Sequence, residues 1–457
     1  MLSLDKINEY VIVVCQQIRW KKAHFRVSEE MQNHIIDGRN SYMAQGLDEN
    51  TATEKALADT GDATVIGTQL DRIHRPKPQW GMFVATAILL ILGILVRLFV
   101  FTDEDRIGLI SVRLLSTGIG VAGMIAAYFT GFTIIGKYPK VIYFGVISMS
   151  VAMLLFSPMV NGRSFYAQYI ILLFPLAFSA IIFATRNKGY IGILLCGLAF
   201  ALPAFITIYV PSISGFLHFA IIGMALLGIA INKKWFGTKR IYSLLLMLAP
   251  VALLSIVFFA SMTPYMWNHL TVAFNPSIDP IGAGYIGVMT RELLSGATFF
   301  GRGNIPSEYI VGLTEPHQIY YTDLLLTALI SLLGWITFTI IASALLFFIV
   351  KGFMFCFREK SSLGLFVSMA IMMTFCMQTI NYVAFNLGFQ FASPISLPLI
   401  SYGNAATIIN LVLIGFMLSV FRTGDVVADG KIPTITKLNK FICWNDGKLT
   451  INFKSKQ

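Results

Sequence analysis

Ionisable side chains are scarce in the apolar part of this chain, so the few beside apolar runs stand out. Asp323 is the sharpest. It follows Tyr321 and Thr322 and directly precedes Leu324-Leu-Leu326, where an apolar run begins. A carboxylate half withdrawn from water at such an edge gains basicity and can take a proton from a hydroxyl. An N-cap, or a first-turn acid paired with the helix dipole, is the competing reading. Three arginines are candidates for gripping a phosphate group through paired hydrogen bonds: Arg113 inside an apolar run, and Arg291 and Arg302 in a long connection. Arg113 also reads as a side chain snorkelling to the interface, and the loop arginines as solvated. Ser401-Tyr402-Gly403 follows Pro394 and Pro398 at the mouth of another apolar run. Prolines there break a helix, and the freed backbone groups line a cavity or pack on neighbours.

The elements that must position these groups follow from composition. Hydrophobic residues make up 56% and charged residues 12% of the 457, with a net charge of +11. A water-facing surface needs roughly a quarter charged residues, so this chain cannot cover itself in water. The composition predicts an all-α integral membrane protein, since only a helix satisfies its own backbone in hydrocarbon. It excludes disorder, a collagen-like fibre and a disulfide-stapled secreted domain. The five cysteines form no CxxC pair. There is no Walker loop, no HExxH and no metal-ligand spacing, so a divalent cation is left open as a cofactor.

A polar segment, 1–78, carries 10 Lys/Arg against 11 Asp/Glu. Its periodicity predicts three helices, Leu4 to Trp20, Val27 to Ala44 and Thr51 to Asp59, with Arg75-Pro-Lys-Pro78 as a stiff hinge. No signal peptide is expected ahead of them. Ten apolar runs of about 20 residues or more follow, near 80–101, 109–132, 141–160, 166–185, 190–210, 214–231, 241–262, 322–350, 363–386 and 399–421. With 1–78 placed in the cytosol, eleven cations fall in four short cytosolic loops, from Lys137 to Lys360. That bias predicts both termini on the cytosolic side. The tail, 423–457, is basic and suits an anionic lipid surface. The outer connection 263–321 is far longer than the others and contains an amphipathic stretch, Tyr285 to Leu294, suited to the membrane surface. From Ser361 to Phe421 no residue is charged, so those two runs read as lipid-facing or packing helices.

Several motifs resemble those of the SEDS family (FtsW, RodA and SpoVE). Phe274-Asn-Pro276, Asp279-Pro280, Gly282 and Gly284-Tyr285 are similar to its "F-x-D-P…D-P…G-x-G-Y-Q". Gly301-Arg-Gly303 resembles its glycine-rich stretch, Tyr321-Thr-Asp323 with Gly334 its "H-T-D…E-E-x-G", and Leu397-Pro-Leu-Ile-Ser-Tyr-Gly403 its "L-P-F-I-S-Y-G-G". The resemblance covers about residues 80–422. Segment 1–78 is similar to the permease-prefix domains that precede some bacterial membrane proteins. Departures are marked. Tyr321 stands for the histidine, Ser331 and Leu332 for the paired glutamates, and Phe174-Pro-Leu-Ala-Phe-Ser-Ala180 lacks the Glu and Lys of "Q-P-S-E-F-A-K".

The resemblance implies a peptidoglycan glycosyltransferase in the bacterial cytoplasmic membrane. It would polymerise lipid II at the outer face during division, elongation or sporulation, beside a class B penicillin-binding protein. Asp323 would deprotonate the acceptor sugar. Arg113, Arg291 or Arg302 would hold the pyrophosphate, with Tyr321, Thr322, Ser401, Tyr402 and Gly403 around the substrate. The missing charges give one rival, a retired enzyme that scaffolds a cell-wall synthase. A second, a lipid-linked sugar flippase, needs a polar path across the bilayer, which the uncharged stretch from Ser361 to Phe421 disfavours.

Overall fold

The computed structural model describes residues 2–76, 78–100, 103–160, 163–210, 212–309, 323–391, 393–401, 403–424, 442–445 and 448–451, with 97–100 and 103–113 described by their backbone alone. It divides into two compact units, one mainly Met1–Gln79 and the other mainly Trp80–Val420.

The first unit holds four helices, α1 (Leu2–Gln17), α2 (His24–Ala44), α3 (Glu49–Thr60) and α4 (Ala63–His74). Ile7, Val11 and Ile35 form one small core with Ala56, and Val14, Ile18 and Val27 another with Ala23. Two aspartates start the last two helices by satisfying amides that a helix cannot pair internally. The Asp48 carboxylate accepts from the Thr51 amide at 3.2 Å, and that of Asp62 from the Thr64 and Val65 amides at 2.8 and 3.1 Å. The Thr64 hydroxyl, then the two amides, hold the Asp62 carboxyl below its ordinary range. This cap explains α4, which the three-helix expectation lacked.

Among the described residues the second unit is helical apart from two antiparallel strand pairs, Met159–Val160 with Arg163–Ser164 and Ile442–Asn445 with Lys448–Ile451. Its helices are α5 (Trp80–Val100), α6 (Asp103–Thr130), α7 (Thr133–Lys137), α8 (Pro139–Phe156), α9 (Ala167–Ile170), α10 (Phe174–Thr185), α11 (Gly189–Tyr209), α12 (Ile213–Asn232), α13 (Arg240–Ala260), α14 (Pro264–Phe274), α15 (Tyr285–Ser295), α16 (Leu325–Leu333), α17 (Trp335–Arg358), α18 (Ser362–Asn386) and α19 (Asn404–Thr423). Among the described residues eight helical spans are long and apolar enough to cross a membrane, with shorter apolar stretches at Trp80–Val96 and Leu114–Thr130. The chain is a multi-pass membrane protein.

Helices α10 and α18 are the most enclosed. Aromatic packing fills the space beside α10, where Phe200 stacks on Phe219 at 4.9 Å and Phe178 meets both edge-on. Small residues bring α6 and α19 together, as in other membrane helix pairs. A Cβ on Gly415 would lie 2.3 Å from the Met124 carbonyl oxygen.

The run expected as one helix over 322–350 is two. Gly334 has φ +93° and separates α16 from α17. Only glycine takes that conformation without strain, and a Cβ there would sit 2.6 Å from the Phe299 carbonyl oxygen. Since α17 is long enough to cross by itself, α16 is an additional short buried helix.

Candidate functional site

Asp323 is half-buried, two residues ahead of α16. The cap residue of that helix, Leu324, makes no side-chain cap bond. The cap comes from across the bundle instead. Asn386, the last residue of α18 and 1% exposed, accepts from the Thr327 amide at 3.0 Å through Oδ1. Its Nδ2 donates to the Asp323 carbonyl at 2.8 Å and to the Tyr382 carbonyl at 2.9 Å. The Thr327 hydroxyl donates to the Asn386 carbonyl at 2.9 Å. One amide side chain therefore fixes both the acid's backbone and the first turn behind it.

Tyr382 lies one turn down α18 and is fully buried. Its ring hydroxyl interacts with the side chains of Ser401 and Asn386 and with the backbone at Leu325, and it lies within reach of the Asp323 charge. Another turn down, Gln378 and Asn410 pair in both directions, at 3.2 and 3.3 Å, and the Ser396 hydroxyl donates to Gln378. Gln378, Tyr382 and Asn386 form a polar stripe at four-residue spacing. The helices of 361–421 pack within the bundle, and part of that packing is polar: uncharged amides and hydroxyls run from Asp323 into it, satisfying one another.

Ser401 is 2% exposed and closes the turn before α19, its Oγ accepting from the Leu397 amide at 2.8 Å. Gly403 is buried and its carbonyl accepts from the Thr407 amide. Tyr321, Thr322 and Tyr402 lie outside the described residues, and Arg113 is described by its backbone alone.

The long connection packs onto this end of the bundle. Met289 and Leu293 of α15 cluster with Ile305, Tyr309, Leu324, Ala328 and Phe385. The amphipathic face expected to lie on the membrane is therefore spent on protein. Asp279 folds the segment before α15, its carboxylate accepting from the Gly282 and Ala283 amides at 3.0 and 2.8 Å. The Tyr309 hydroxyl donates to Glu292 at 2.7 Å. Burial, then the Glu292 carboxylate, push that phenol well above its ordinary value.

Arg291 is exposed, and a Cβ on Gly388, two residues past Asn386, would lie 3.2 Å from its Cγ. It borders the Asp323 end. Arg302 does not. The Gly301 and Gly303 amides donate to the carbonyls of Leu333 and Ser331, capping the far end of α16. A nine-residue helix, about 13 Å long, separates Arg302 from Asp323. Ser331 itself is fully buried and donates to Thr327. Beside α16 an apolar hollow of about 150 Å³ is lined by Leu92, Leu95, Leu329 and Ile340, among others. No group of three or more metal-ligating side chains occurs among the described residues.

The two faces of the membrane can be placed along α18. Phe366 near its start and Asn386 at its end are 20 residues apart, about 30 Å at helical rise, which is the thickness of the hydrocarbon core. Asp323 thus lies at one face and Phe366 near the other.

No family model matches the chain. It is 22% identical over 223 residues to a probable peptidoglycan glycosyltransferase FtsW of Trichlorobacter lovleyi, an alignment covering 45% of this chain and 58% of the relative. A Geobacter protein of the same name is 28% identical over 185 residues, 40% of this chain and 49% of that protein. The chain spans about half the length of these relatives. Among solved structures, one described as a peptidoglycan synthase complex coordinating polymerization and crosslinking superposes with a TM-score of 0.57 at 18% identity, covering 76% of this chain and 98% of that one. A variant of the Thermus thermophilus rod-shape-determining protein RodA gives 0.50 at 14% identity, with the same coverages. The structural likeness establishes a shared fold.

Proposed function

We propose, from the premise that the chain is a divergent relative of the SEDS proteins, that it is a peptidoglycan glycosyltransferase acting on lipid II at the outer membrane face. In this reading ten helices cross the membrane, the termini and the 1–78 domain lie in the cytosol, and the long connection covers the outer face. Asp323 takes the proton from the acceptor sugar hydroxyl. That oxygen attacks the anomeric carbon of a second lipid-linked sugar, inverting it and releasing undecaprenyl pyrophosphate with the bonding electron pair. Pyrophosphate is a good leaving group, so orientation and charge stabilisation supply most of the acceleration.

The observation that carries this reading is the fixed, half-buried acid: Asp323 is tethered through its carbonyl to Asn386, and its charge reaches the buried Tyr382. A solvated loop carboxylate needs neither. Arg291 borders the same end and is the described candidate for the pyrophosphate, Arg113 remaining a second and Arg302 being too far along α16. The apolar hollow beside α16 suits a polyprenyl tail. A class B penicillin-binding protein is the partner the reading requires for crosslinking.

One observation favours the scaffold reading. The positions where the family carries charge are filled for packing: Ser331 is sealed inside α16, and Ala177 and Ala180 are buried in α10. Incubating the purified protein with lipid II and resolving the products by gel separates the two. Glycan strands establish the enzyme. Their absence in both presence and absence of divalent cation, with cellular function lost on deleting residues 1–75, establishes the scaffold.

A further inference from the structure

At the membrane face opposite Asp323 two short loops are fastened into one surface. The first joins α10 to α11, the second α12 to α13. The Asn187 amide donates to the Trp235 carbonyl at 2.9 Å, and the Lys239 amide to the Tyr190 hydroxyl at 3.3 Å. Phe236, 3% exposed, occupies the space left by Gly192, where a Cβ would lie 2.9 Å from the ring. Trp235 stacks on Phe366 at 4.2 Å and meets Phe183 edge-on. Asn187 and Lys234 take left-handed conformations, φ 66° and 57°, so both loops are tight turns.

These turns and the first residue of α13 carry six cations and no acid. Arg186 is committed to protein, stacked 3.6 Å over the Phe183 ring and donating to the Phe183 carbonyl at 2.8 Å. Lys188, Lys233, Lys234, Lys239 and Arg240 are exposed. The charge bias of membrane loops accounts for cations on this face. It gives no reason to lock two such loops together, where like charges repel. An anion shared between them does. The first turns of α11 and α13 supply its second property: Ile191 and Ile241, 67% and 62% exposed, continue the basic surface into an apolar flank. Basic groups in the headgroup zone above exposed aliphatic side chains match a lipid and not a soluble phosphate.

We infer that this surface binds the headgroup of an anionic phospholipid in the adjoining leaflet, its phosphate held by Lys188, Lys233 and Lys234 and its acyl chains lying along Ile191 and Ile241. The site holds whichever way the protein is oriented and is independent of the proposed catalysis.

Native mass spectrometry of the full chain with phosphatidylglycerol or phosphatidylcholine tests it. The triple variant K188Q/K233Q/K234Q is compared with wild type and with K137Q/K140Q, which removes charge from a different loop. Wild type and K137Q/K140Q retain phosphatidylglycerol over phosphatidylcholine, and inorganic phosphate does not displace it. Each lysine neutralised weakens retention about fivefold, so the triple variant loses the preference. Should the triple variant lose its fold, Lys234→Gln alone is read in the same way. Equal retention by wild type and the lysine variants, an equal loss in K137Q/K140Q, displacement by inorganic phosphate, or no preference for the anionic lipid overturns the assignment.

Discussion

Replacing Asn386 with alanine tests how Asp323 is held. Among the bonds centred on this residue, the one from the Thr327 hydroxyl to the Asn386 carbonyl is backbone-directed and survives. The Thr327 amide, fully buried, loses its Oδ1 partner, and the Asp323 carbonyl loses its tether. An orphaned buried amide costs about 1–3 kcal/mol and a lost hydrogen bond about 1, so the start of α16 gives up about 2–4 kcal/mol of local stability. A membrane bundle of this size tolerates that globally. The acid, however, is freed to drift, and a displacement of about 1 Å costs on the order of 100-fold in rate. Polymerisation of lipid II by Asn386→Ala is therefore expected to fall about 100-fold, with the protein still monodisperse in detergent. Asn386→Asp adds a further readout. A second carboxylate beside Asp323 disfavours its charged form, so the acid limb of the pH–rate profile moves to higher pH. Wild-type rates in the alanine variant, together with an unmoved profile in the aspartate variant, would refute the tethering argument.

Other expectations follow from particular contacts. Gly334→Ala forces a Cβ into the Phe299 carbonyl at a positive φ, costing about 1–2 kcal/mol in strain alone, and should lower the thermal midpoint measurably. Tyr309→Phe removes the bond to Glu292. Because the folded phenol is raised above its ordinary value, the bond's contribution is complete below about pH 10 and is lost as pH climbs towards the folded value. Limited proteolysis of the 263–309 connection should thus accelerate at alkaline pH in wild type, with Tyr309→Phe already fast at pH 8. Asp62→Ala removes the cap of α4, whose carboxyl is held low in the folded state. The cap's contribution is present above the unfolded value and is lost as pH falls through the folded one. Hydrogen exchange across Ala63–His74 should rise in the variant at neutral pH and lose the acid dependence seen in wild type.

Much of the fold was legible because hydrocarbon leaves the backbone few options. Each apolar run from Trp80 onward contains a helix, and Tyr285 to Leu294 forms one too. The break at Gly334 was hidden by the apolar residues flanking it, which continue the run without a change of period. What lies against α15 was equally hidden, since an amphipathic face does not say whether lipid or protein covers it. Asp323 stood out because a lone acid at a membrane edge is costly. Its support did not: Gln378, Tyr382 and Asn386 are each uncharged, and only their four-residue spacing in an otherwise apolar run marks them as one face. Charge was the wrong filter for that helix, and polar periodicity was the available signal. Arg291 and Arg302 looked equivalent in sequence. The backbone bonds of Gly301 and Gly303 to the far end of α16 separate them.

The central claim is that Asp323 removes a proton during glycosyl transfer. Its most direct test is the polymerisation rate of purified Asp323→Ala on lipid II, with lipid II binding measured in the same preparation. The account predicts substrate bound to within about threefold of wild type and no glycan strand formed. Strands appearing at the wild-type rate would contradict it.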